Sequence, residues 1–419
     1  MSGQSDEFSG RLGLIFATIG AAIGTGNIWR FPRMVGANGG GTFLIPWLIF
    51  LFVWSIPLVI AEFAMGKRSR TGTIGTFRIF TGKRFAWMGL WTAWISTAIG
   101  FYYAVVAGWC LKYFQLGITG GLTGDGVDTV QVWNEFLQAP GQVIFFQFIV
   151  VVLTLAAISR GAKAIEKVNV LLMTSLMVLL FLTMFMALSM DMNDGTLDGA
   201  LFMFTVDTSM MFDAEIWINA LSQSAWSASA GMGMAITYAV YMRKDEDTTL
   251  NAFVMGLANN SISIIAGLTV LSAIFAVEAD PLATVTGGSS AITFLALPEV
   301  FAQAPGGNVG PFLMMTGFFL ALSFAALTSM ISTVELCVRN FVDHGYERTR
   351  SVWMTGAAIF LFGLPSAVLW VKLDAEGVAF PQFLEVQDHI WGYGLMFSGL
   401  FIAFTIWRYG FLKWRAQVE

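Results

Sequence analysis

The chain has 419 residues, 56% of them hydrophobic and only 12% charged, with a formal net charge of −5. Charged residues make up about a quarter of an ordinary soluble domain, and apolar runs of about twenty residues, each able to cross a ~30 Å hydrocarbon core, recur along the whole length. This excludes a separate soluble domain and points to an all-α polytopic membrane protein. Two cysteines, Cys110 and Cys337, and two histidines, His344 and His389, stand in no CxxC, HExxH or GxSxG pattern, so metal or nucleophile chemistry finds no equipment and an enzyme is not expected.

The first apolar stretch, residues 11–32, reads RLGLIFATIGAAIGTGNIWRFP. It starts as a helix and then places Gly20, Gly24, Thr25, Gly26 and Asn27 at membrane depth. Glycine costs a helix roughly 1 kcal/mol against alanine, so the helix is expected to break. Broken backbone within a bilayer is tolerated where it is buried in protein, lines a wet cavity or binds something. Close helix packing is the competing explanation for the glycines. Asn27 and Arg30, both costly in lipid, favour a site. Free carbonyls there suit a cation, and free amides at the start of a half-helix suit a carboxylate.

Ten spans follow in order, at about 12–35, 41–65, 86–116, 143–159, 165–190, 214–242, 250–277, 308–338, 350–371 and 388–412. Loops 66–85, 159–167, 243–249 and 339–350 carry clustered Lys and Arg, whereas loops 117–142, 191–213 and 278–307 carry none. The positive-inside rule therefore places both termini, 1–11 and 413–419, on the cytoplasmic side of a cell (plasma or inner) membrane. Within loop 278–307 the run SAITFLALPEVFAQ is amphipathic enough for a short helix, either an extracellular lid or ordinary surface loop. The sixth span is interrupted by small and hydroxylated residues from Gln223 to Gly233. Breaks at matching places in two halves, 12–190 and 214–412, are the pattern of an inverted-repeat transporter with its site at the midplane. Asn259, Asn260, Ser261 and Ser263 interrupt the seventh span, and Thr328, Ser329, Ser332 and Thr333 the eighth. Glu62 and Glu335 are intramembrane carboxylates that should find donors inside the bundle.

The first-span run, then Asn38-Gly39-Gly40-Gly41-Thr42-Phe43-Leu44-Ile45-Pro46 and Pro57-Leu58-x-x-x-Glu62, closely resembles the neurotransmitter:sodium symporter family. The resemblance implies a LeuT-type 5+5 inverted repeat with discontinuous helices 1 and 6. It implies one Na+ site from the Ala22 carbonyl, Asn27, Ser227 and Asn259. A second would come from the Gly20, Ile23 and Ala325 carbonyls with the Thr328 and Ser329 hydroxyls. An amino-acid carboxylate would meet Thr25, Gly26 and Tyr103 rather than the neighbouring Tyr102. The amino group would lie near Ala225, Trp226 and Ser229, with walls from Ile99, Trp226, Met232, Ser329 and Thr333. Gly24 stands where monoamine-transporting relatives carry Asp, so a substrate with its own carboxylate, a neutral amino acid, is implied. Trp226 and Tyr103 would lid the site. An outer gate would pair Arg30 with Asp388. At the inner gate Asp343 is present, but Ser5 replaces the usual Arg and Phe8 the usual Trp. Gln223, Ser227 and Ser263 fit a chloride site in which Trp47 replaces Tyr. Many relatives have twelve spans where ten are counted here; the two repeats that bear the site are both present. The partners implied are the amino acid and the lipid bilayer, with no nucleic acid. A non-transporting sensor on the same fold, or a symporter of another small carboxylated solute, stays open as an alternative.

Overall fold

The structure, a computed structural model, describes residues 7–123, 127–192, 195–286, 291–374 and 377–418; Ser5 lies outside them. The glycine-rich stretch interrupts the first segment as its composition predicts. Helix α1 (Arg11–Ala22) stops, and the chain resumes in a π-helical turn (Gly26–Arg30) that runs into α2 (Phe31–Ala37), the two parts bent by 52°. The second segment is α3 (Gly41–Phe50), which passes through a π-helical turn at Leu51–Ser55 into α4 (Ile56–Ser69). After the short α5 (Thr73–Thr81) comes α6 (Ala86–Thr119), the central column, which packs on five other helices along its length.

A surface helix, α7 (Thr129–Leu137), leads to α8 (Pro140–Ile158) and α9 (Ala162–Asp191). The short α10 (Asp198–Phe204) connects to α11 (Ala214–Ser227), and after a second break the chain resumes as α12 (Met234–Ala239). Next is α13 (Thr248–Val277), followed by the three short helices α14 (Pro281–Thr286), α15 (Ala291–Phe294) and α16 (Ala296–Ala302). The long α17 (Val309–Asp343), then α18 (Arg348–Val368), α19 (Gln382–Tyr409) and α20 (Phe411–Val418) complete the helices.

Among the described residues eight helices are long and apolar enough to cross a membrane, and the bent α1–α2 pair makes a ninth. The tenth expected span is α11 with α12, each half too short to cross alone. Its break is later and shorter than the sequence suggests: Gln223 to Ser227 are helical, and the unwound stretch is 228–233. Loop 372–387 is not plain loop. It holds a two-stranded antiparallel hairpin, β1 (Val371–Leu373) against β2 (Ala379–Pro381), and α19 already begins at Gln382. The amphipathic run in loop 278–307 turns its apolar face inward. Phe294, Leu297, Val300 and Phe301 are fully buried, with Phe294 stacked 5.2 Å from Trp133 and edge-on to Trp109 and Tyr113.

Two apolar clusters fill the bundle, and the second break contributes to both, Met232 to one and Ala228 and Ala230 to the other. Half-helix α1 lies against α9, α13, α17 and α12, so the unwound backbone sits amid the long helices and not at the lipid boundary.

Candidate functional site

The two breaks carry the exposed backbone polarity that a site needs. At the first, the Tyr103 hydroxyl of α6 accepts hydrogen bonds from the Thr25 amide at 3.0 Å and from the Thr25 hydroxyl at 3.2 Å. Gly24 is tightly enclosed here: a Cβ there would stand 2.5 Å from Ser329 Oγ and 2.9 Å from the Tyr103 hydroxyl. At the second break Ser229 and Gly231 take φ of +50° and +90°, conformations rare for L-residues and open to glycine. The turn is pinned from both sides. Ser229 Oγ donates to the Ala21 carbonyl of α1 at 3.1 Å, the Gly231 amide donates to Glu62 Oε1 at 2.7 Å, and Ser96 Oγ donates to the Met232 carbonyl at 2.5 Å. Glu62 thus serves the break, which explains a carboxylate in α4. Ile99, Ala225, Ser229, Met232, Ser329 and Thr333 are buried, and partly buried Trp226 borders Gly392 of α19.

Two oxygen-rich clusters flank the first break. In one, the Asn27 amide nitrogen donates to Asn259 Oδ1 at 2.7 Å and to Ser263 Oγ at 2.8 Å, while Asn259 Nδ2 reaches Ser227 Oγ at 3.3 Å. Asn27 Oδ1 accepts from the Gly24 amide at 3.0 Å, tying this cluster to the break. In the other, the Thr328 and Ser329 hydroxyls both donate to the Ile23 carbonyl at 3.2 Å, and Thr328 also bonds the Ala325 carbonyl at 3.0 Å. Thr328 Cβ lies 3.4 Å from the position a side chain at Gly20 would take. Both donor sets are neutral carbonyl, amide and hydroxyl oxygens. Among the described residues no group of three or more His, Cys, Asp or Glu is placed to hold a metal ion.

The gate residues find other partners than the sequence suggests. Arg30 donates to Gln223 Oε1 at 2.8 Å and Ser222 Oγ at 3.1 Å. Asp388 instead accepts from the Tyr102 hydroxyl at 2.8 Å. The ion pairs among the described residues do not include Arg30 with Asp388. At the opposite end Asp343 accepts from Arg339 at 2.6 Å and from the Gly72 amide at 2.5 Å. Phe8 is buried against Tyr238 and Tyr241, its amide donating to the Tyr241 carbonyl at 3.1 Å. Glu335, fully buried, takes both guanidinium nitrogens of Arg348 at 3.0 and 2.6 Å and the Tyr241 hydroxyl at 2.5 Å. Sequence reasoning missed Arg339 and Arg348 as partners, reading them only as basic loop residues. The i,i+4 spacing of Arg339 and Asp343 was the available signal. Gln223 Nε2 donates to the Gly26 carbonyl at 2.9 Å, and the buried Trp47 indole N–H has no partner.

A bundle with two interrupted helices meeting at its centre, flanked by neutral oxygen clusters, is the architecture of a secondary transporter. The sodium:neurotransmitter symporter family model matches residues 5–135 and 135–419, and the chain belongs to that family. It is 30% identical over 401 residues to the uncharacterized sodium-dependent transporter YhdH of Bacillus subtilis (strain 168), covering 94% of this chain and 85% of the relative. It is 31% identical over 437 residues to the uncharacterized sodium-dependent transporter MJ1319 of Methanocaldococcus jannaschii, covering 99% and 84%. The crystal structure of MhsT in complex with L-phenylalanine superposes with a TM-score of 0.85 at 30% identity, covering 99% of this chain and 92% of that one. The fold is therefore LeuT-type, and the protein is a multi-pass membrane protein of a sodium-dependent symporter family, not an enzyme.

Proposed function

We propose that the chain is a sodium-coupled symporter that imports neutral amino acids, hydrophobic ones favoured, by alternating access. The observation that carries this reading is the α1 break. Its Thr25 amide and hydroxyl meet the Tyr103 hydroxyl beside a Gly24 that leaves no room for an acid. Backbone amides at a half-helix start suit a carboxylate, and a lining without a fixed charge suits a neutral side chain. The phenylalanine bound to MhsT supports the same class.

The Asn27–Asn259–Ser227 cluster and the Ile23–Ala325–Thr328–Ser329 cluster support two sodium sites, the first with the Ala22 carbonyl and the second with that of Gly20. Neutral oxygen shells suit a hard monovalent cation. Each ion bridges the broken α1 to a continuous helix, so its binding orders the pocket. Coupling is reciprocal, since substrate must then raise sodium affinity by the same factor. Each net charge carried inward gains about 2.3 kcal/mol per 100 mV.

Residues 12–190 and 214–412 form the two repeats in this reading, with the basic loops and both termini facing the cytoplasm and α14 to α16 covering the outer vestibule. Arg30 and Asp388 close the outside over Trp226 and Tyr103, exchanging their present partners for each other; Asp343 belongs to the inner gate. Ser263, Ser227 and Gln223, with the unpaired Trp47 N–H as an additional donor, support a chloride site. Replacing chloride with gluconate is expected to lower uptake, and unchanged uptake removes that site.

The decisive experiment is uptake of labelled neutral amino acids into proteoliposomes under an inward Na+ gradient, with K+ in its place as control. Concentrative uptake only with Na+ is expected. Sodium-dependent binding without uptake would instead identify a sensor.

A further inference from the structure

At the end of the bundle that carries the basic loops, two arginines converge on one aromatic ring. Arg84, in the turn before α6, and Arg408, in the last turn of α19, both stand over Phe85, their guanidinium carbons 5.8 and 4.6 Å from the ring centroid. Arg408 Nε also donates to the carbonyl of Thr81, the last residue of α5, at 3.2 Å. Aromatic contacts hold the same elements together, Phe85 with Phe404, and Phe80 with both Tyr409 and Trp414 of α20. Nearby acids do not balance the two charges. The sequence carries no Asp or Glu at residues 63–124 or 389–418, and the ion pairs among the described residues include neither arginine. Glu62, the acid of α4, is committed to the second break. Exposed Arg78, Lys83 and Lys413 add further positive charge on the same elements. Like charges brought together repel, and a ring attracts a cation without neutralising it. The positive-inside rule accounts for basic residues on one side of a membrane, but it does not ask two of them to meet. Trp87 and Trp407, both exposed, lie beside these arginines in sequence, and exposed tryptophans mark the headgroup boundary of a bilayer.

We propose that Arg84 and Arg408 clamp the phosphate of an anionic phospholipid, in the leaflet on the side of the basic loops, with its acyl chains against Trp87 and Trp407. A guanidinium presents a planar fork matched to phosphate oxygens and is more weakly hydrated than an ammonium. An anionic leaflet offers that phosphate at high local concentration, and the lipid supplies the missing countercharge. Arg408 ends α19, whose first half carries Asp388, and Arg84 follows α5, whose preceding Gly72 amide donates to Asp343. A lipid held between them therefore fastens the basic end of α19 to α5 and α6. Its binding requires only that the chain spans a membrane, so failure of sodium-driven uptake would leave it untouched.

The test uses the purified full chain in micelles of neutral detergent and dioleoylphosphatidylcholine. Dioleoylphosphatidylglycerol is titrated in and the unfolding temperature is read. A saturable rise is expected. Arg84→Gln and Arg408→Gln are each expected to raise the phosphatidylglycerol fraction that gives half the rise by about fivefold, the scale of one cation lost at an anionic headgroup. Arg408→Lys keeps the charge without the fork and is expected to fall between wild type and Arg408→Gln. Arg243→Gln, in a basic loop outside the clamp, is expected to leave the midpoint within about 1.5-fold of wild type. The midpoint is read and not the starting stability, so packing lost with an arginine stem does not count. If Arg408→Gln does not fold, Arg84→Gln carries the comparison, because Arg84 is exposed. No rise with phosphatidylglycerol overturns the clamp. So does an equal shift in Arg243→Gln, which would mean diffuse surface charge, or the same rise from inorganic phosphate, which would mean a free anion in place of a lipid.

Discussion

Tyr103→Phe separates the two adjacent tyrosines of α6 and tests the pocket directly. The substitution keeps the ring and its packing and removes one oxygen. That oxygen accepts from the Thr25 amide at 3.0 Å and from the Thr25 hydroxyl at 3.2 Å. With substrate bound, it is the group that would donate to the carboxylate, and a hydrogen bond to a charged group is worth about 1.5–3 kcal/mol. At 1.4 kcal/mol per tenfold, the dissociation constant of the amino acid is expected to rise roughly ten- to hundredfold. Tyr102→Phe removes a hydroxyl of the same kind that instead donates to Asp388 at 2.8 Å. It is expected to change affinity less than about threefold, because the bond it breaks, although to a carboxylate, does not touch the bound amino acid. Equilibrium binding of labelled amino acid to the purified variants at saturating Na+ makes the comparison. Equal affinity in Tyr103→Phe and wild type, or a larger loss in Tyr102→Phe, would refute the placement of the carboxylate.

Thr328→Val keeps the side-chain shape and removes the hydroxyl that meets the Ile23 and Ala325 carbonyls. The Na+ concentration for half-maximal uptake is expected to rise about tenfold, with amino-acid affinity little changed at saturating Na+. Gly231→Ala forces a Cβ to within 3.1 Å of the Gly399 backbone at a φ of +90°. A loss of about 1–3 kcal/mol, seen as a lower unfolding temperature in detergent and reduced uptake, is expected. Arg348→Ala leaves the Glu335 carboxylate buried with only Tyr241 as partner. Breaking such a pair costs about 3–5 kcal/mol, and the double variant with Glu335→Gln is expected to recover most of the lost thermal stability.

Local composition carried much of this protein. Apolar length sets the spans, because nothing shorter crosses hydrocarbon and nothing polar remains there without a partner. Glycine clustering set the first break, since the cost of a glycine is paid within one turn of its own helix, and α1 stops at Ala22 accordingly. The second break was legible in kind but misplaced by several residues. Small hydroxylated residues fit a helix as readily as a turn, and the pinning contacts from Glu62 and Ser96 come from α4 and α6.

What the tertiary structure alone decided is which polar groups meet. Arg30 turns to Gln223, Asp388 to Tyr102, and Glu335 to Arg348, and Ser9 reaches Glu166 across a separation of 157 residues. Likewise Phe294 enters an aromatic cluster drawn from several helices. Hydropathy has a helical period and a membrane length, so it is written into neighbouring residues. A hydrogen bond between distant helices has no period, and its partner is fixed only when packing sets the rotation and depth of both.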